Sequence, residues 1–152
     1  MKNPMGTAPA DNYQLFDVTP LPGALGAEIR GLDLGKALAS DKLRELNAAF
    51  LQYQVLVFRE QSLELHQHLD FAARFGPLFE HPYVEPIAEH RAVIRVLKEC
   101  DDTVNNGGAW HIDLTFMKRP PKASVLRMID VPRCGGDTLL ANMHEAYDAL
   151  SS

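Results

Sequence analysis

The chain has 152 residues, 46% hydrophobic and 23% charged, an ordinary globular composition with length for one sizeable core. Its net charge of −5, with no basic cluster, argues against nucleic acid or an anionic membrane as the main partner. No apolar run approaches the roughly 20 residues that span a bilayer.

Met1 to Ala10 carries one Lys and no apolar h-region. It reads as a short disordered lead rather than a secretory signal. Gln14–Val18 and Ala27–Arg30 are predicted strands joined by the Pro20-Leu21-Pro22-Gly23 turn. Ser40 can cap a helix running to about Tyr53, with Leu43, Leu46 and Phe50 on one face. Gln54–Phe58 is a continuous apolar run suited to a buried strand. Ser62 can cap a second helix to Phe75, where Leu65, Leu69 and Ala72 recur at helical spacing and Gly76-Pro77 ends the run. After a Pro-rich loop, Ala92–Leu97, Ala123–Val131 and Asp137–Ala141 are predicted strands. Met143 to Leu150 begins a helix with Met143, Ala146, Tyr147 and Leu150 on its apolar face. Strands outnumber helices, so an α+β or barrel-like sheet is expected. Cys100 and Cys134 have no CxxC spacing, which fits a reducing cytoplasm and bystander roles.

The chemistry concentrates in Trp110-His111-Ile112-Asp113-Leu114-Thr115-Phe116, between the Asn105-Asn106-Gly107-Gly108 loop and Pro120-Pro121. In extended backbone, side chains i and i+2 share a face, so His111 and Asp113 can reach one metal ion. With a second His they would make the facial triad of non-heme Fe(II) oxygenases. His-x-Asp alone is a weak signal: composition predicts about 0.4 matches, and His68-Leu69-Asp70 is another. On a helix, however, i and i+2 diverge by roughly 200°, so His68 and Asp70 cannot share a metal, nor can His66 and His68. These three read as a solvated helix face. A zinc hydrolase could also use His and Asp, but neither HExxH nor a clustered third ligand appears.

Several segments together resemble the taurine dioxygenase family of Fe(II)/2-oxoglutarate-dependent oxygenases. They are Pro22-Gly23-Ala24-Leu25-Gly26-Ala27-Glu28-Ile29, Gln54-Val55-Leu56-Val57-Phe58-Arg59, Phe75-Gly76-Pro77-Leu78 with His81-Pro82, the Trp110–Phe116 stretch, and Gly135-Gly136-Asp137-Thr138-Leu139. The resemblance implies an α+β fold, a double-stranded β-helix (jelly-roll or cupin-like) with flanking helices, incomplete at the C-terminus. Residues 11–152 would be the N-terminal half of the catalytic domain. The second iron-binding His and an Arg for the cosubstrate would lie downstream of this sequence.

The resemblance also implies site roles. His111 and Asp113 would be the first two Fe(II) ligands, where a simple hydrogen-bonded pair at a strand end is the alternative. Thr138 would help hold the far carboxylate of 2-oxoglutarate, or else be only a strand-start residue. His81 would bind substrate, with Tyr83 two places later a weaker match, since the taurine enzyme has its Tyr one position further on. Four residues before the first ligand that enzyme has an Asn touching substrate; Gly107 stands here, with Asn105 and Asn106 nearby. The implied reaction uses O2 to hydroxylate a small organic anion such as taurine, another sulfonate or an alkyl sulfate, releasing succinate and CO2. A cytoplasmic enzyme of sulfur metabolism, able to form a homo-oligomer, is expected. With only two ligands, the 152-residue chain alone is expected to be inactive, a fragment of such an enzyme.

Overall fold

The computed structural model describes residues 13–103 and 107–150; the lead expected over residues 1–10 lies outside them. Among the described residues the order is β1 (Asp17–Pro20), β2 (Ala27–Arg30), α1 (Ser40–Tyr53), β3 (Leu56–Phe58), α2 (Leu65–Ala72) and α3 (Met143–Asp148). The chain divides into two compact units, Met1–Phe71 with Arg127–Ser152, and Ala72–Leu126.

The first unit is built on a three-stranded sheet in the order β1-β2-β3. β1 runs antiparallel to β2, with Asp17 opposite Arg30 and Pro20 opposite Ala27. The predicted hairpin is therefore present, but its first strand starts at Asp17 rather than Gln14. The reason is a partner distant in sequence: the Gln14 and Leu15 amides donate to Glu45 Oε2 on α1, both at 3.1 Å, instead of joining the ladder. The Leu21 amide donates to Gly26 O at 2.9 Å and closes the turn. Gly26 has φ +100°, and a Cβ there would lie 3.1 Å from the Leu21 side chain, so glycine is needed.

β3 pairs in parallel with β2, Ala27 opposite Leu56. A parallel neighbour requires a long crossover, and α1 supplies it. Its span, Ser40–Tyr53, is the predicted one, but Ser40 is not the cap. The N-cap is Ala39, which makes no side-chain bond, and Asp41 in the first turn provides the favourable negative charge. Leu46, Ala49 and Tyr53 form the buried stripe, flanked by half-buried Leu43 and Phe50. α1 stops where Gln54 turns left-handed at φ 65° and its amide returns to Phe50 O at 2.8 Å.

α2 is shorter than the predicted Ser62–Phe75. Its start is set not by Ser62 but by Gln67, whose Oε1 accepts the Glu64 amide at 2.7 Å in the reciprocal half of a capping box. The Gln67 Nε2 donates to Gly35 O at 2.9 Å, so one amide both starts the helix and holds the preceding loop. Phe71 is buried and stands edge-on to Phe58, ring centres 5.7 Å apart. His66 and Asp70 are exposed and His68 is half-buried, so the expected solvated face holds for two of the three.

α3 is capped by Asn142, the one buried polar residue among the described residues. Its Oδ1 accepts the His144 amide at 3.0 Å and the Glu145 amide at 3.4 Å, while Nδ2 donates to Ala24 O at 3.0 Å. One side chain thus caps the helix and ties it to the first hairpin loop. Asn142→Ala is expected to lower stability by about 1–2 kcal/mol, by removing the cap and leaving Ala24 O short of a partner. Asn142→Asp keeps the cap but sets a buried carboxylate oxygen against Ala24 O, so it should cost at least as much; urea denaturation of the two variants of the full-length protein measures the difference.

Three predicted strands are not formed. Ala92–Leu97, Ala123–Val131 and Asp137–Ala141 are irregular. Ile87 and His90 form an isolated bridge, and the Ile87 amide donates to Val93 O at 2.8 Å, which draws the start of the first segment into a turn. The other two meet no neighbouring strand among the described residues, and a strand exists only through its partner's hydrogen bonds. Most of their apolar residues stay in solvent, Ile129 at 82% and Leu139 at 72% exposure. The described architecture is therefore a small mixed α/β arrangement of three strands and three helices, without the paired strands of a double-stranded β-helix. Among the described residues, no helix is long and apolar enough to cross a membrane.

Candidate metal and substrate site

His111 and Asp113 lie in the second unit, on irregular loop backbone with a bend at Asp113 rather than on a strand. The two side chains meet: His111 Nε2 is 3.2 Å from Asp113 Oδ1. The other ring nitrogen, Nδ1, is 2.9 Å from Ala109 O. A carbonyl can only accept, so Nδ1 carries a proton and donates to it, which leaves Nε2 as the nitrogen that faces the carboxylate. Only a proton or a cation between them makes that contact favourable, and a backbone carbonyl behind a metal-bound His is the usual way its tautomer is fixed.

The backbone around this pair is strained on one side and permissive on the other. Leu114, directly after Asp113, is buried yet left-handed at φ 46°, and its carbonyl accepts the Met117 amide at 3.0 Å. A bulky residue in that region is an outlier that surrounding packing must hold. It turns the chain immediately after the carboxylate. Gly107 has φ +73°, and a Cβ there would meet His111 Cε1 at 3.5 Å. Asn105 and Asn106, the nearest amides in sequence, lie outside the described residues.

His81 is half-buried, with its Nδ1 in the opposite role. Its Nδ1 accepts the Tyr83 amide at 3.2 Å and the Val84 amide at 3.0 Å, so the proton sits on Nε2. His81 therefore offers an N–H donor at Nε2, where His111 turns its Nε2 toward a carboxylate. Tyr83 stands edge-on to His81, ring centres 6.1 Å apart, and reaches Phe116 at 6.4 Å. His81, Tyr83 and Arg91 line a hollow of about 510 Å³, and Arg91 Nε donates to Glu80 Oε2 at 2.8 Å.

Thr138 belongs to the other unit, on an exposed irregular segment four residues before Asn142. No group of three or more His, Cys, Asp or Glu that could hold a metal occurs among the described residues. His111 and Asp113 fit two positions of a facial ligand set, one neutral imidazole nitrogen and one carboxylate oxygen. Phe116, the Ala109 carbonyl and the Leu114 turn were not assigned roles from sequence. Phe116 has a sequence signal, an aromatic three residues past a ligand candidate, whereas backbone carbonyls and φ angles leave none.

Residues 17–152 match the profile of the taurine catabolism dioxygenase TauD, TfdA family. The chain belongs to that family. Among relatives of this TauD, TfdA chain is an alpha-ketoglutarate-dependent sulfate ester dioxygenase of Pseudomonas putida, 36% identical over 136 residues, or 89% of this chain and 44% of that protein. An alkylsulfatase of Acinetobacter baylyi is 37% identical, covering 90% of this chain and 43% of its own length. A (S)-phenoxypropionate/alpha-ketoglutarate-dioxygenase of Sphingobium herbicidovorans is 37% identical, covering 89% and 48%. The TauD, TfdA chain thus spans somewhat less than half the length of these relatives.

Proposed function

We propose that this chain is the N-terminal half of a dioxygenase domain that uses Fe(II), 2-oxoglutarate and O2 to hydroxylate a small organic anion, releasing succinate and CO2. Taurine, another sulfonate or an alkyl sulfate is the substrate class. The observation that carries it is the facing of His111 Nε2 and Asp113 Oδ1 at 3.2 Å, with Nδ1 anchored on Ala109 O. Family membership and relatives named as alpha-ketoglutarate-dependent support the same chemistry. The reading includes a double-stranded β-helix completed by further strands, a second His, and an Arg for the cosubstrate. A cytoplasmic location is supported by Cys100 and Cys134, both free and exposed.

His111 and Asp113 would hold Fe(II), which supplies the activation of O2 that the protein's own side chains cannot. His81 would donate its Nε2–H to the anionic group of the substrate, with Tyr83 alongside. Thr138 would donate its hydroxyl to the far carboxylate of 2-oxoglutarate, orienting it while a cation balances the charge. Anaerobic addition of Fe(II) and 2-oxoglutarate to the full-length protein should give a weak visible charge-transfer band, which zinc cannot give. No band, with activity restored by zinc, would replace this reading with a zinc hydrolase.

Thr138→Val is expected to weaken apparent 2-oxoglutarate affinity about ten- to a hundred-fold, the loss of one hydrogen bond to an anion at roughly 1.5–3 kcal/mol. The measurement is KM for 2-oxoglutarate at saturating substrate. An unchanged KM would reduce Thr138 to a backbone-shaping residue.

A further inference from the structure

His111 and Asp113 stand exposed on a stretch, residues 107–122, that forms neither helix nor strand. Among the described residues the Asp113 carboxylate meets only His111 Nε2. The fixed point of this loop is Leu114. At 8% exposure it is the one buried residue among those described from Ala72 to Leu126. The same residue is left-handed at φ 46°, a conformation that costs a bulky side chain about as much as burying a leucine gains. Burial of the side chain can therefore hold the strained backbone. Just beyond, the Leu114 carbonyl accepts the Met117 amide at 3.0 Å and closes a tight turn. Relaxing Leu114 to negative φ means rotating about its N–Cα bond. That rotation must move either the buried side chain with its turn or the peptide that carries Asp113. The exposed, weakly held carboxylate is the part free to swing.

We infer that Leu114 is a positioning residue, whose buried side chain holds a left-handed backbone that aims the Asp113 carboxylate at His111 Nε2 and so at a metal ion shared by the pair. The inference rests on the proposed metal site and deepens it. The role asks for two properties that seldom coincide. Burial calls for an apolar side chain, while φ 46° penalises branching at Cβ. Leucine and methionine meet both demands; isoleucine, the isomer of leucine, meets only the first.

The test is equilibrium Mn(II) binding by the full-length protein, read from loss of the free-ion electron paramagnetic resonance signal. Leu114→Ile should raise the Mn(II) Kd about tenfold or more, as when a group orienting a metal ligand is lost, while Leu114→Met stays within about twofold. In an Asp113→Ala background Leu114→Ile should change nothing further, because its effect passes through the carboxylate. A purely space-filling role would give Leu114→Ile and Leu114→Met the same Kd. That result, or a loss persisting in the Asp113→Ala background, would overturn the inference. Should Leu114→Ile not fold, Leu114→Gly and Leu114→Ala decide. Both lose the anchor, but only glycine rests easily at φ 46°, so Leu114→Gly should bind Mn(II) more tightly. Equal or reversed affinities would again overturn it. Mn(II) binding indifferent to Asp113→Ala would remove the metal site and the inference together, whereas Asp113-dependent binding with Leu114→Ile and Leu114→Met alike removes the inference alone.

Discussion

His111→Ala in the full-length protein is expected to abolish Fe(II)-dependent turnover, whereas His68→Ala stays within a few-fold of the parent. The two residues begin identical His-x-Asp motifs, and only their backbone differs. His68 is inside α2, where Asp70 points elsewhere, while His111 Nε2 faces Asp113 Oδ1 at 3.2 Å. Loss of a group that merely orients a metal ligand costs about 10–100-fold in affinity or activity, so loss of the ligand itself should cost more. Metal content after dialysis, measured beside turnover, separates failure to bind iron from failure to fold. A dead His68→Ala and an active His111→Ala would reverse the choice between the motifs.

The 152-residue chain on its own is expected to show no 2-oxoglutarate decarboxylation above free iron, and to bind a hydrophobic dye strongly. Leu126, Met128, Ile129, Val131, Leu139, Leu140 and Leu150 are all more than half exposed, far more contiguous sequence than the scattered apolar residues of a normal surface. Two ligand candidates without a third among the described residues would hold iron poorly. Dye fluorescence with lost near-ultraviolet circular dichroism would place it among expanded, loosely packed states. Sharp, dispersed NMR signals together with decarboxylation would contradict both parts.

What was legible in the sequence was whatever local periodicity or spacing could carry. The α1 span, the first hairpin and the His111–Asp113 proximity all follow from patterns within a few residues. Less visible were features fixed by distant partners. Glu45 takes the Gln14 and Leu15 amides and so shifts β1, and the Gln67 that starts α2 is held by the distant Gly35 carbonyl. The segments at 92–97, 123–131 and 137–141 have strand-like apolar content, but content cannot supply the neighbour that a ladder requires. Within the candidate site the residue types were readable, yet the opposite roles of Nδ1, acceptor in His81 and donor in His111, depend on backbone amides and a carbonyl that no side-chain pattern encodes.

Asn142 and Ala24 meet across 118 positions of chain, which bears on the order in which the molecule assembles. Closing so long a flexible loop carries an entropic cost of roughly 4 kcal/mol, growing only logarithmically with length. During synthesis the first hairpin and α1 leave the ribosome well before residue 142, and the earlier part of a chain tends to fold first. Ala24 O is then already in place when Asn142 arrives, so α3 acquires its starting cap as a late event. Substitutions at Asn142 should therefore speed unfolding far more than they slow refolding, the kinetic mark of a contact made after the barrier.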